Sequence, residues 1–203
     1  MNHLLVDSNG QILASQVLTP ASVTAPWGTP ATGQSVVTCT DADIALAVPA
    51  TGTPAAYWNG TQVVASPASP GNSYAWDWPS KSWVLNLTVG QLAAWARIRA
   101  ARDAAINAGV TYNGNVYDSD AKAQLRVTGA ATLAQLAIAS GNTAYSITWT
   151  LQNNSTVSLT AQQIIAMAQA VGTNYQTQFA KGQTLRAQIM AATTQAQLDA
   201  VVW

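Results

Sequence analysis

The chain has 203 residues, 49% hydrophobic but only 8% charged, where roughly a quarter of an ordinary soluble domain is charged. All eight acids are aspartate, so surface polarity rests on Thr, Ser, Gln and Asn, and much of the surface is expected to meet other protein. Residues 1–80 carry Asp7, Asp41, Asp43 and Asp77 with no Lys or Arg, while the remainder carries all eight basic residues against four Asp. That split, −4 and +4, excludes the dense basic stripe of a nucleic-acid partner.

In chain order, residues 4–18 read as a hairpin turning at Asp7-Ser8-Asn9-Gly10, where Asn-Gly offers two positive-φ positions. Residues 19–36, rich in Thr, Pro, Gly and Ala, read as an extended arm or a linker, because Pro20, Pro26 and Pro30 remove ladder donors. Short strands are predicted at 35–40, 44–48, 56–58 and 62–65, with a turn at Trp58-Asn59-Gly60-Thr61. In Tyr74-Ala75-Trp76-Asp77-Trp78 the aromatics alternate, which puts three on one face of a strand, and Trp83 follows after Pro79-Ser80-Lys81. Such a face is either the core of a small β module or a docking platform.

A helix is predicted from Thr88, with Thr88 and Gln91 as a capping box and a stripe of Leu92, Trp95, Ile98 or Arg99, Arg102 and Ile106. It ends near Ala108, before Gly109. Arg97, Arg99 and Arg102 read as a solvated face or an intersubunit salt-bridge edge. A tight hairpin closes at Asn113-Gly114, and Asp118-Ser119-Asp120 opens a helix that runs through Leu125, Leu133 and Leu136. A third hairpin spans 145–159. Thr160 with Gln163 caps the longest helix, striped by Ile164, Ala168, Val171, Tyr175, Phe179, Gly182, Leu185 and Ile189. A short final helix, capped by Thr193 or Thr194, carries Leu198, Val201 and Trp203.

Chemistry-bearing motifs are sparse. His3 is the only histidine and Cys39 the only cysteine, so neither a Ser-His-Asp set, nor a His/Cys metal cluster, nor an internal disulfide is expected. Asp118 with Asp120 reads as a helix start. Asp41 with Asp43 would hold a calcium ion only with further oxygen donors that the sequence does not identify. No phosphate-binding glycine loop is present. The expectation is a non-enzyme without cofactor or metal. No apolar run reaches 18 residues, so no membrane span is expected. The start lacks a basic region and apolar run, so synthesis and folding in a cytoplasm are expected.

The string Arg97-x-Arg99-x-x-Arg102-Asp103, Gly109-Val110, Tyr112-Asn113-Gly114 and Tyr117-Asp118-Ser119-Asp120 continues with Gln124-x-Arg126-x-x-Gly129-Ala130. It then runs on as Trp149-Thr150-Leu151, Asn153-Asn154, Val157-x-Leu159-Thr160-Ala161 and Leu185-Arg186-x-x-Ile189-x-Ala191. Over residues 92–200 this resembles a domain of unknown function found in bacteriophage tail proteins (DUF4376-like). It departs in its final helix, which lacks the usual glutamates. The segment 76–84 is similar to the connector before that domain, and loosely to tail-fibre assembly proteins.

The expected fold is α+β: a β-rich N-terminal module over 1–75, a Trp-rich hinge over 76–87, and a helix-dominated domain with inserted hairpins over 88–203. The resemblance implies a structural component of a phage tail, at the baseplate, tail tip or fibre attachment. Other tail proteins would be its partners, in several copies per virion or as a homo-oligomer. A tail-fibre assembly chaperone and a receptor- or glycan-binding module are the alternatives. Trp58, Tyr74, Trp76, Trp78 and Trp83 are the candidate docking residues.

Overall fold

The computed structural model describes residues 2–17, 29–47 and 56–203. The chain forms two units, Met1–Val89 and Gly90–Trp203. The architecture is mixed α and β, strands dominating the first unit and helices the second.

In the first unit, β1 (Asn2–Asp7) lies between β2 (Ile12–Val17) and β3 (Gln34–Cys39) in an antiparallel sheet. Residues 19–28 of the expected arm lie outside the described residues, whereas 34–36 belong to β3. Alternation along β1 sends Leu4 and Val6 inward, where they form a core with Ala47, Ala56 and Val63. The turn after β1 has one positive-φ residue, Gly10 at +73°, rather than two. Gly10 N–H donates to Asp7 O at 3.0 Å, Asp7 N–H to Gln11 O at 3.1 Å, and the register slips between Leu5 and Val6. This is a glycine-bulged turn, which asks for a left-handed residue only at its last position.

The strand predicted at 44–48 is instead helix α1 (Asp41–Ala47); Val48 lies outside the described residues. The reason is local. Thr40 Oγ1 accepts the Asp43 N–H at 3.1 Å, and Asp43 Oδ2 accepts the Thr40 N–H at 2.8 Å. That reciprocal cap satisfies the first amides of a helix and outweighs the β preference of Ile44.

Two hairpins follow, β4 (Ala56–Trp58) with β5 (Val63–Ala65) and β6 (Tyr74–Asp77) with β7 (Ser82–Leu85). Asn59 Oδ1 accepts the N–H groups of Thr61 and Gln62 at 2.9 and 3.0 Å, which folds the first turn. The residues expected as a hinge lie mostly within the second hairpin, whose turn places Lys81 at φ +54°.

Helix α2 (Leu87–Asn107) opens one residue before the expected start. Asn86 Oδ1, not Thr88, faces its free amides and accepts the Val89 N–H at 3.3 Å. Its buried face is Gly90, Ala94, Ile98 and Ile106, whereas Leu92 is 64% exposed, against the expected stripe. Ser119, fully buried, closes the helix by accepting the Gly109 N–H at 3.1 Å and donating to Ile106 O.

Hairpin β8 (Val110–Tyr112) and β9 (Asn115–Tyr117) turns at Asn113 and Gly114, both at positive φ as expected. Asp120 caps α3 (Ala121–Ala139) by accepting the Lys122 and Ala123 N–H groups at 2.8 and 2.9 Å. Hairpin β10 (Ser146–Thr150) and β11 (Thr156–Thr160) leads into α4 (Ala161–Ala191) through the expected Thr160/Gln163 capping box. Tyr117, Val127, Ala134, Leu159, Ile164, Met167 and Val171 form the core between the hairpins, α3 and the first half of α4. Thr194, with Gln197, caps α5 (Gln195–Ala200).

Candidate interaction surfaces

The β6–β7 hairpin gathers part of the predicted aromatic set. Trp76 and Trp83 are directly opposed across the strands, with ring centroids 5.4 Å apart and planes at 73°. Trp78 meets Trp76 edge-on at 6.2 Å, and Tyr57 from β4 lies 5.8 Å from it. These edge-to-face and tilted contacts are the geometries aromatic quadrupoles favour. The indole N–H of Trp83 donates to Pro67 O at 2.8 Å. That of Trp76 is buried and finds no acceptor among the described residues.

Tyr74 sits opposite Leu85 and joins no ring pair among the described residues. Trp58 stands apart, packed against the Leu4–Val63 core. All five predicted aromatics are half-buried. Tyr57 was not legible in the sequence as part of the cluster, because its ring reaches Trp76 from a separate hairpin, a contact that no local pattern encodes. Lys81 was not legible there either; its ammonium donates to Trp78 O at 2.7 Å and lies 5.6 Å from the Tyr57 ring centroid.

The carboxylates weighed as metal or acid–base pairs have structural partners. Asp43, 7% exposed, accepts from Thr40 and, through Oδ1, from the Val63 N–H at 2.7 Å; these backbone hydrogen bonds hold its pKa below the ordinary value. Asp41 accepts from the Asn2 amide. The Ala123 and Lys122 amides lower the pKa of Asp120, and Ser80 lowers that of Asp77. Burial raises that of the Cys39 thiol. Among the described residues no three His, Cys, Asp or Glu side chains come together.

The basic residues of the second unit are largely engaged within it. Arg97 donates to Leu198 O at 3.0 Å and to Val201 O at 2.9 Å. Arg102 lies 4.3 Å over the Phe179 ring and pairs with Asp103 at 2.7 Å. Arg186 covers Trp95 at 5.2 Å, and Lys181 covers Trp203 at 4.4 Å. Guanidinium and ammonium groups thus pack over aromatic rings and join α2, the second half of α4 and the C-terminus.

What stays open is apolar. Helix α3 buries Ala123, Val127, Ala134 and Ala137, and turns Leu125, Leu133 and Leu136 outward at 76%, 56% and 61% exposure. Positions 125, 133 and 136 fall on one side of a 3.6-residue helix, so the three leucines form one face. Gly129 lies on that face, and a Cβ there would meet nothing within 4 Å. No helix of the described residues is long and apolar enough to cross a membrane.

Residues 89–202 match the family described as a domain of unknown function, DUF4376. No curated protein and no solved structure matches the chain. The match takes in α2 through α5 and more than half of the sequence, and the chain belongs to the DUF4376 family.

Proposed function

We propose that this protein is a structural component of a bacteriophage tail that works through protein–protein contacts at the baseplate, tail tip or fibre attachment. The observation that carries the reading is the leucine face of α3, with Leu125, Leu133 and Leu136 exposed on a chain that is only 8% charged. A helix normally turns its largest apolar residues inward; a contiguous outward set marks an interaction site. The resemblance of residues 92–200 to tail-associated proteins supplies the setting. Several copies per particle, with other tail proteins as partners, follow from the same reading.

The test is mass spectrometry of purified particles of the phage whose genome encodes the chain. Stoichiometric recovery of the polypeptide supports a structural role. Its absence from particles, combined with a requirement for it in producing soluble fibre, would replace that role with assembly chaperoning.

A further inference from the structure

The geometry points to a pocket for a neutral sugar ring in the first unit, where three hairpin turns converge. The turn 7–10, the turn at Asn59 and Gly60, and Lys81 of the β6–β7 turn line an open cleft of about 330 Å³. That volume is at the lower end of what small-ligand sites offer. Neither the family description nor the assembly role proposed above assigns it.

The convergence is enforced by the main chain. Trp58 N–H donates to Gly10 O at 2.9 Å. A Cβ on Gly10 would stand 2.1 Å from Trp58 O, so only glycine lets this turn meet the end of β4, while the Lys81 ammonium lies at ordinary contact distance, 3.5 Å. Lys81 is the only Lys or Arg among residues 1–89. Its ammonium is fixed by Trp78 O at 2.7 Å and by the Tyr57 and Trp78 rings at 5.6 and 5.9 Å. One of its three N–H donors is used there, leaving two.

The lining decides the class of ligand. Asp7 commits Oδ1 to the Asn9 and Gln11 N–H groups, both at 2.8 Å, which leaves Oδ2 as an acceptor. Asn59 commits Oδ1 to its own turn, which leaves its amide N–H₂ as a donor. Ser8 and Asn9 add an exposed hydroxyl and an exposed amide, and Trp58 borders the cleft. Asp7 and Lys81 cancel in charge. An anion would meet Asp7 and a cation would meet Lys81. A neutral ring whose hydroxyls both donate and accept satisfies these donors and acceptors together.

Saturation-transfer-difference NMR on the full chain tests this, using methyl α-D-glucopyranoside, methyl α-D-galactopyranoside and N-acetylglucosamine, with N-acetylneuraminic acid as the charged comparison. The expected result is transfer to the ring protons of at least one neutral sugar, in excess of that to the acid. Asn9→Ala or Lys81→Met should weaken binding about tenfold, the scale of one lost hydrogen bond to a ligand, with the circular dichroism spectrum unchanged. Asn9 is exposed, so its replacement leaves the fold intact. No transfer to any neutral sugar, transfer undiminished in both variants, or a preference for the acid would each overturn the proposal. None of these outcomes bears on whether the chain is present in particles.

Discussion

The Asp43 carboxylate accepts the main-chain N–H of Val63 at 2.7 Å, a hydrogen bond between residues 20 apart that ties the start of α1 to β5. The same carboxylate caps α1 through Thr40. Asp43→Ala would strand the Val63 amide and uncap the helix, and should destabilise the first unit by about 2–3 kcal/mol. Urea unfolding followed by tryptophan fluorescence would measure the loss; a change under 0.5 kcal/mol would contradict it.

The same contacts set a pH dependence. Because the folded pKa of Asp43 is lowered, the unfolded chain binds its proton more readily. The stabilisation is therefore present above the unfolded value, about 3.9, and drains away as pH falls through the lower folded value. Acid titration should show the first unit weakening below about pH 4, and Asp43→Asn should flatten that limb. An unaltered acid limb in the variant would show that other groups control it.

Gly10 should tolerate no side chain. At φ +73°, with Trp58 O 2.1 Å from a Cβ position, Gly10→Ala combines left-handed strain with a backbone clash. The cost is expected to exceed about 2 kcal/mol. Gly60→Ala shares the positive φ but meets nothing within 4 Å, so thermal melts should rank it well below Gly10→Ala in damage.

Arg97 holds the C-terminus through Leu198 O and Val201 O. Arg97→Ala should cost about 1–2 kcal/mol and speed hydrogen exchange in α5 more than in α3. Equal effects in both helices would mean that the contact does not act locally.

The leucine face makes the opposite prediction. Replacing Leu125, Leu133 and Leu136 together with Gln should leave the melting temperature within a few degrees, because the three side chains are more than half exposed. Incorporation into particles should fall severalfold in a complementation assay. A large loss of stability would show that the face is packed within the protein after all.

The sequence was most readable where the deciding atoms are a few residues apart. Asn113-Gly114, the Thr160/Gln163 box and the Asp120 cap each place donor, acceptor and required φ within one turn of chain, and each formed as expected. The Thr40–Asp43 box was equally local, and would have marked α1 had its spacing been weighed above the β preference of Ile44. In the aromatic set, the Trp76–Trp83 pair follows from the hairpin register, whereas Tyr57 arrives from another hairpin.

By itself, then, the sequence determined the order of most elements, many of their ends, the net-acidic first unit and the family-like second one. It decided which side faces inward in α4, where Ile164, Val171, Leu185 and Ile189 are buried as the stripe implied, but not in α3. Periodicity marked Leu125, Leu133 and Leu136 in α3 and Leu92 in α2. The structure turns these outward; α3 buries alanine and valine instead, because it packs closely on α4 and close helices need small residues between their backbones, while α2 buries Ile98 and Ile106 beside Gly90 and Ala94. Tertiary packing also brought Gly10, Trp58 and Lys81 to one point, since contacts across 48 and 71 residues depend on three separate hairpins docking together.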